Sequence, residues 1–252
     1  AMGGKGVFVK EVQAAVLDGR ADLAVHSGKD LPAATPDGLV LVAVPARADA
    51  RDALVGCRWS ELPVGARVAT GSVRRRAQLA WLRPDVLFVE LRGNIATRLE
   101  KAAEVDAIVM AAAAIDRLGL EPPVVDRLPP RVMLPQVAQG ALAIECRADD
   151  HATIAALEAI EDPATRRVVD AERAFLAELG GDCVLPAGAH AVLVEGDGPG
   201  ADVELVGMLA SLDGHVLVRE SRRGTDPVTL GRAVARHLLD DAGGAALLAG
   251  VR

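Results

Sequence analysis

The sequence predicts an α/β protein that ends in a small C-terminal domain of a different class. Strand-like and helix-like segments alternate up to residue 110, a pattern that favours largely parallel sheets with helices outside them. Hydrophobic residues make up 51% of the 252 residues, which is ample for buried cores. From about residue 189, strand-like segments separated by Gly-rich and Asp-rich turns follow one another directly. This change indicates a separate small α+β domain.

The first half begins with a predicted helix over residues 9–20, which ends near Gly19 because glycine commonly ends helices. Short apolar segments at 22–25 and 39–44 predict two strands, the first of them buried. Strands at 67–69, 86–91 and 107–110 and helices at 73–82 and 95–104 continue the β/α alternation. The proline-rich stretch at 124–135 is interpreted as a connector, and residues 139–146 as another strand.

The second half begins with a long predicted helix over residues 163–179. Strand-like segments then follow at 191–194, 203–209 and 215–220, and a helix at 229–239 closes the pattern. We find no internal repeat and no long disordered tract in the sequence.

Composition argues against several classes of partner. The net charge is −7, aromatic residues are only 2% and tyrosine is absent, so neither a basic surface nor a set of base-stacking side chains is expected for nucleic acid. The apolar runs are far shorter than the roughly 20 residues that span a bilayer. The N-terminal AMGGKG has no apolar signal region, so we expect a cytoplasmic protein.

The three cysteines are Cys57, Cys146 and Cys183, and their wide spacing fits neither a disulfide framework nor a zinc site. The five histidines are scattered as well, so no metal site is expected. Cys146 follows an apolar run and is predicted to be buried, whereas the sequence does not indicate whether Cys57 is buried or exposed. Cys183 follows two glycines in a loop, where its thiol could be exposed and reactive, although a single free cysteine is often structural.

The motif HSGKDLP at residues 26–32 places a cation and an anion directly after an apolar strand. Ligands of open α/β sheets bind at the carboxyl ends of such strands, which makes Asp30 the leading catalytic candidate. The alternative is that Lys29 and Asp30 are ordinary solvated surface charges.

Arginines mark two further strand-to-helix turns, TGSVRRR at 70–76 and RGNIATR at 92–98. Free backbone N–H groups and the helix dipole favour anions at such turns, and guanidinium groups bind carboxylates with two hydrogen bonds. Both turns should open on the same edge of the sheet, which predicts a site for a ligand with several carboxylates. The alternative is that the three consecutive arginines are mostly solvated on an amphipathic helix.

Five motifs together resemble the porphobilinogen deaminase (hydroxymethylbilane synthase) family: HSGKDLP (26–32), TGSVRR (70–75), LRGNIATRL (91–99), LPQVAQGAL (134–142) and GGDCVLPAG (180–188). The resemblance implies two lobes like those of periplasmic binding proteins, with the active site between them, and a small C-terminal α+β domain. It implies residues 1–45 with 141–158 for domain 1, 46–140 for domain 2 and 159–252 for domain 3.

The resemblance also implies the activity: four porphobilinogen units are joined head to tail, with loss of ammonia, on a dipyrromethane cofactor held through a thioether, and hydroxymethylbilane is released. It implies Asp30 as the catalytic residue, where it would stabilise an azafulvene cation and relay protons. The implied cofactor-binding residues are Cys183, Lys29, Ser72, Arg74, Arg75 and Gly93. The implied substrate-binding residues are Arg92, Arg98, Arg117, Lys5 and Phe8.

Family members usually begin some fifty residues earlier, so we expect the first lobe to lack its opening strand and helix. Two hypotheses remain open from the sequence. The first is an active transferase that acts as a monomer; the second is an inactive two-lobed module that binds a polycarboxylate without turnover.

Overall fold

The computed structural model describes residues 5–91, 93–180, 185–194 and 200–249, and within them eight α-helices and eleven strands. The helices are α1 (Lys5–Leu17), α2 (Val73–Leu82), α3 (Ile95–Glu100), α4 (Ala112–Arg117), α5 (His151–Glu158), α6 (Pro163–Glu178), α7 (Pro227–Arg236) and α8 (Gly244–Ala249). The strands are β1 (Leu23–Ser27), β2 (Leu39–Ala43), β3 (Asp52–Val55), β4 (Arg67–Ala69), β5 (Leu87–Val89), β6 (Ala107–Ala111), β7 (Val125–Leu128), β8 (Leu142–Arg147), β9 (Ala187–Val194), β10 (Asp202–Ala210) and β11 (Leu217–Gly224). The predicted α/β class is confirmed.

The first sheet has the order β1-β8-β2, and both of its pairings are antiparallel. Helix α1 packs on one face, where Val9 joins Leu31 and Ala143, and α5 packs on the other. Strand β1 alternates between the two sides, because Ala24 is buried while Val25 is 54% exposed. The prediction of a buried strand here is therefore wrong; β1 is half-buried and lies at the edge of its sheet.

The second sheet has the order β5-β4-β6-β3-β7. Strand β4 pairs in parallel with β5 and β6, whereas β3 pairs antiparallel with β6 and β7. The expectation of largely parallel sheets is thus wrong outside these β/α units. The chain enters the second sheet through β3 and leaves it through β7, and both strands pair antiparallel to their neighbours. Strand β7 lies within the stretch interpreted as a connector, and β3 was not predicted.

Two chain segments, residues 44–51 and 129–141, cross between the first and second sheets. They contact each other where the Ala48 backbone N–H donates to the Gly140 carbonyl at 3.1 Å. Gly140 has a φ of +86°, and a Cβ there would lie 2.6 Å from the Ala48 carbonyl oxygen. A side chain at residue 140 would therefore both strain the backbone and separate the two segments.

The third sheet is an antiparallel meander with the order β11-β10-β9. Helices α6 and α7 cover one face, where Phe175 and Val234 approach Gly207 so closely that no Cβ would fit. Their core also takes in Val44 and Val137 from the crossing segments. The other face packs on α2 of the second sheet, in a cluster of Ala77, Leu134, Met208 and Ala210. The predicted C-terminal α+β unit is present and is joined to both lobes.

Candidate active site

The Lys29–Asp30 pair lies on a 3-10 turn, Gly28–Asp30, that directly follows β1. The Gly28 backbone N–H donates to the Ala141 carbonyl at 2.9 Å. A Cβ at Gly28 would lie 3.0 Å from that of Ala138, so the turn is pressed against the second crossing segment. Both charged side chains are partly buried. The alternative of a fully solvated Lys-Asp pair is therefore wrong.

The two arginine turns lie side by side, as the parallel pairing of β4 and β5 requires. Ser72 is the N-cap of α2, and its hydroxyl accepts the Arg75 backbone N–H at 3.5 Å. A Cβ at Gly71 would be 2.9 Å from the Leu91 carbonyl oxygen, so the turn after β4 approaches the end of the neighbouring strand closely. Asn94 caps α3 by accepting the Thr97 backbone N–H at 2.9 Å. Both helices thus begin next to each other, each with a polar side chain as its N-cap.

Sequence reasoning missed the carboxylate that organises the arginines, Asp52 at the start of β3. Its side chain is 0% exposed and pairs with Arg74 at 2.8 Å and with Arg75 at 2.7 Å. Arg75 also donates to the Val109 carbonyl at 2.9 Å, and Arg74 donates to the Leu134 carbonyl. The Arg74 guanidinium is only 2% exposed and lies inside the protein, so its predicted role in cofactor binding stays a prediction. Arg76 is the solvated member of the three, as expected for one of them, and it lies over the Phe88 ring at 5.4 Å.

Gln139 links Asp52 to Lys29, and sequence reasoning missed it as well. Its amide nitrogen donates to Asp52 Oδ1 at 3.0 Å and to the Ala50 carbonyl at 2.8 Å, while its oxygen accepts from Lys29 Nζ at 3.3 Å. Burial and the charge of Arg75 lower the pKa of Lys29 from 10.5 to about 8, although Asp30 and Asp52 oppose that shift. Burial is thus the main reason that the Lys29 ammonium gives up its proton more readily than an exposed lysine.

Arg98 joins this group from the other arginine turn. Its pKa lies below the ordinary value because of burial and the charge of Arg75, and Asp30 opposes the shift. Its Nε donates to the Gly93 carbonyl at 2.8 Å, which positions the side chain over its own turn. The charges of Asp30 and Arg75 thus act on both Lys29 and Arg98, and the roles predicted for these residues stay predictions.

Of the other predicted site residues, Arg117 and Phe8 have described side chains. Arg117 ends α4 and donates to the Gly140 carbonyl at 2.7 Å, at the crossing segments. Phe8 is 69% exposed in the first half of α1. Lys5 begins α1, but its side chain lies outside the described part of the chain, as do Arg92 and Cys183.

The cluster formed by Lys29, Arg74, Arg75 and Arg98 outnumbers its two carboxylates, Asp30 and Asp52. An unbalanced positive charge in a partly buried site favours a ligand with several negative groups, and guanidinium forks suit carboxylates. Among the described residues, no group of three or more His, Cys, Asp or Glu side chains is arranged to hold a metal ion. No helix in the same part of the chain has both the length and the hydropathy needed to cross a bilayer.

Comparison with known proteins decides the family. The family description "porphobilinogen deaminase, dipyromethane cofactor binding domain" matches residues 1–155, and the C-terminal domain of the same family matches residues 167–240. The porphobilinogen deaminase of Roseiflexus castenholzii is 51% identical over 99% of this chain and 82% of that protein. The Brevibacillus brevis porphobilinogen deaminase is 47% identical over 96% of this chain and 79% of that protein.

The chain belongs to the porphobilinogen deaminase family. It is accordingly a transferase of tetrapyrrole biosynthesis that forms hydroxymethylbilane and uses dipyrromethane as its cofactor. The alternative of a binding module without turnover is not favoured. Among solved structures, an ancestral cationic amino acid solute binding protein aligns with 60% of this chain and 66% of its own length, at 17% identity and a TM-score of 0.40, which is too low to add to the argument.

The residues of the site fit dipyrromethane. Two pyrrole rings that each carry an acetate and a propionate present four carboxylates, and Lys29, Arg75 and Arg98 offer cations whose charges interact with one another or with Asp30. Arg75 commits its Nε and one N–H from each terminal nitrogen to Asp52 and Val109, so further N–H groups of the fork remain for a ligand. The donor set therefore suits a flexible polycarboxylate.

Proposed function

We propose that this chain joins porphobilinogen units head to tail with Asp30 as the catalytic carboxylate, and that Cys183 carries the dipyrromethane. The observation that supports this best is the position of Asp30, which acts electrostatically on Arg98 and Lys29 within one partly buried cluster. A carboxylate at the centre of a cationic site is suited to chemistry in which a positive charge develops on an otherwise anionic ligand.

Asp30 acts on the substrate pyrrole. As ammonia leaves porphobilinogen, positive charge spreads over the ring and its N–H, and a fixed carboxylate stabilises that charge far better in a water-poor site than in bulk water. The same carboxylate can take and return a proton at the pyrrole nitrogen or carbon. When bound, dipyrromethane supplies the electron-rich carbon to which the first porphobilinogen is joined.

The cations hold the carboxylates of the growing chain. Lys29 and Arg75 lie on the two sides of the Gln139–Asp52 link, so their separation is set by the protein rather than by the ligand. Ser72 and the backbone N–H groups that begin α2 add neutral donors. The residues proposed to bind the substrate are Arg92, Arg98, Arg117, Lys5 and Phe8.

We also propose that the three sheets mark three domains, residues 1–45 with 141–158, residues 46–140 and residues 159–252, and that the chain acts as a cytoplasmic monomer. Movement about the crossing segments near Gly140 would let a lengthening product pass one fixed carboxylate. Light scattering on the purified protein tests the oligomeric state directly.

The function is tested by intact mass and turnover of Asp30→Asn. This variant should retain the two-pyrrole adduct and lose turnover by a factor of at least about 100. Asp37→Asn is the matched control, because Asp37 is an exposed carboxylate in the loop after the turn and should leave turnover unchanged. A rate for Asp30→Asn near that of the wild type would remove Asp30 from its role.

The attachment site is tested by Cys183→Ala with an aldehyde colour reaction for dipyrromethane. Loss of the adduct would assign the thioether to Cys183. A pigment still bound covalently would point instead to Cys57 or Cys146, of which Cys146 is fully buried.

A further inference from the structure

A second buried carboxylate lies behind the catalytic turn, on the α1 face of the first sheet. Glu145, in β8, has a side chain that is 0% exposed. Its Oε2 accepts from Gln13 Nε2 at 2.8 Å and lies 3.1 Å from His26 Nε2. These three side chains come from α1, β1 and β8, so one carboxylate joins the three elements that surround the start of the turn.

Glu145 is held in its charged form. Burial alone would raise its pKa, but contacts with His26 and Gln13 and the charges of His26 and Arg173 bring the pKa below its ordinary value. Arg173 belongs to α6. Burial lowers the pKa of Arg173, and the charges of Asp170 and Glu145 oppose that shift. The groups that face Glu145 are thus an amide from α1, an imidazole from β1 and a guanidinium from α6.

Two of the groups that act on Glu145, His26 and Arg173, contact the chain on either side of the catalytic turn. His26 is the second residue before Gly28, where the turn begins. Arg173 donates from Nη2 to the Ala33 carbonyl at 2.9 Å, three residues after Asp30. Glu145 therefore contacts the strand that leads into the turn through His26, and Arg173, whose charge acts on Glu145, holds the segment after the turn.

Glu145 differs from the other fully buried glutamate, Glu172, which ties the crossing segments to the third sheet. Both oxygens of Glu172 are occupied, by Arg47 at 2.7 and 3.0 Å and by the backbone N–H groups of Ala138 and Ala191. Glu145 Oε1 has no hydrogen-bond partner among the described residues. Glu172 is thus saturated in the manner of a structural anchor, whereas Glu145 makes its contacts to Gln13 and His26 through one oxygen alone.

We propose that Glu145 is a positioning residue for Asp30, which it acts on through its contact with His26. This inference rests on the proposed catalytic role of Asp30. Glu145 touches neither substrate nor cofactor; it sets where the carboxylate of Asp30 stands relative to the cations of the second lobe. Because an error of about 1 Å in such a group costs on the order of 100-fold in rate, a support of this kind acts on kcat more than on binding.

Glu145→Gln tests the proposal, because it keeps the shape and the acceptor oxygen and removes only the charge. We expect kcat to fall by about 10-fold to 100-fold, KM for porphobilinogen to stay within about twofold, and the cofactor adduct to be retained in the intact mass. The unfolding temperature of Glu145→Gln, measured beside its kcat, separates a loss of positioning from a loss of fold.

Asp150→Asn is the matched control for simple destabilisation of the first sheet. Asp150 caps α5 on the opposite face and pairs with Arg147 at 2.8 Å, so its loss should lower the unfolding temperature and leave kcat and KM unchanged. A wild-type kcat for Glu145→Gln, or an equal loss of kcat in Asp150→Asn, would overturn the proposal.

His26→Gln is the second variant, and it tests the positioning role of Glu145 even if Glu145→Gln does not fold. It should reproduce the loss of kcat, and the double variant should lose little more than either single one, because the two side chains act as one unit. Independent, multiplicative losses, or a wild-type kcat for His26→Gln, would refute the inference. If Asp30→Asn keeps its turnover, the proposed function itself fails. If Asp30→Asn loses turnover but the Glu145 and His26 variants keep it, only the positioning role of Glu145 is refuted.

Discussion

Replacing Asp52 by asparagine removes the one carboxylate between two buried guanidinium groups. Arg74 and Arg75 have side chains only 2% and 9% exposed, and Asp52 accepts from both. Removing one partner of a buried ion pair costs about 3–5 kcal/mol, because the other charge is left without compensation. For a chain of this size, each kcal/mol lowers the unfolding temperature by about 2–4 °C, so the expected loss is about 6–20 °C.

The assay is thermal unfolding followed by circular dichroism, in a Cys183→Ala background so that bound cofactor does not differ between samples. Asp49→Asn is the control: its partners Arg51 and Arg127 are 41% and 36% exposed, and such pairs contribute about 0–1 kcal/mol. Equal unfolding temperatures for the two variants would refute the reasoning that Asp52 is the counter-ion of the arginine pair.

The pH dependence gives an independent check on Asp52. Burial would raise its pKa, but the charges of Arg74 and Arg75 and the hydrogen bond from Gln139 lower it from 3.8 to about 2. A carboxyl group whose pKa is lowered on folding contributes stability above its unfolded value, and that stability is lost as the pH falls through 3.8 toward about 2. The difference in stability between wild type and Asp52→Asn should therefore be constant above that window and shrink within it.

Three further predictions concern Ala138, the turn at Gly28 and Lys29. Ala138 has a φ of +54°, so Ala138→Gly should stabilise the protein by about 1 kcal/mol in urea unfolding; no gain would show that the backbone there is unstrained. Gly28→Ala should destabilise it by crowding Ala138, and Ala138→Gly should relieve that loss. Affinity of the apoprotein for pyromellitate, measured by calorimetry, should fall as the pH rises through about 8 and Lys29 loses its proton. Lys29→Gln should show no such fall, and equal pH profiles for the two proteins would contradict this assignment.

Local sequence signals predicted the first and last residues of some helices and strands correctly. Strand β4 and helix α2 occupy 67–69 and 73–82 as expected, because Ser72 is a strong N-cap between a short apolar strand and a helix-forming run. Strand β3 was missed because it is only four residues long and opens with a charge. Strand β7 alternates apolar and charged residues beside prolines, which resembles a loop in the sequence.

The sequence indicated which charged residues belong to the candidate site, but not which of them pair with one another. Apolar strands that end in HSGKD and TGSVRR identify a carboxylate and cations at sheet edges from local pattern alone. That Arg74 turns inward depends on Asp52, 22 residues before it, and on the Leu134 carbonyl, 60 residues after it. Such pairings arise from the antiparallel entry of β3 into the second sheet, which no periodicity in the sequence encodes.

The packing of the crossing segments prevents this chain from being divided into fragments that fold separately. Val44, Val137 and Ala141, which lie between the first two sheets along the chain, share one apolar core with Phe175 and Leu205 of the C-terminal unit. Cutting the chain at residue 159 would expose that core on both fragments, so neither should be soluble alone. The C-terminal unit is therefore a poor module for grafting onto other two-lobed proteins, and substitutions within its helices should alter lobe movement at a distance from the cleft.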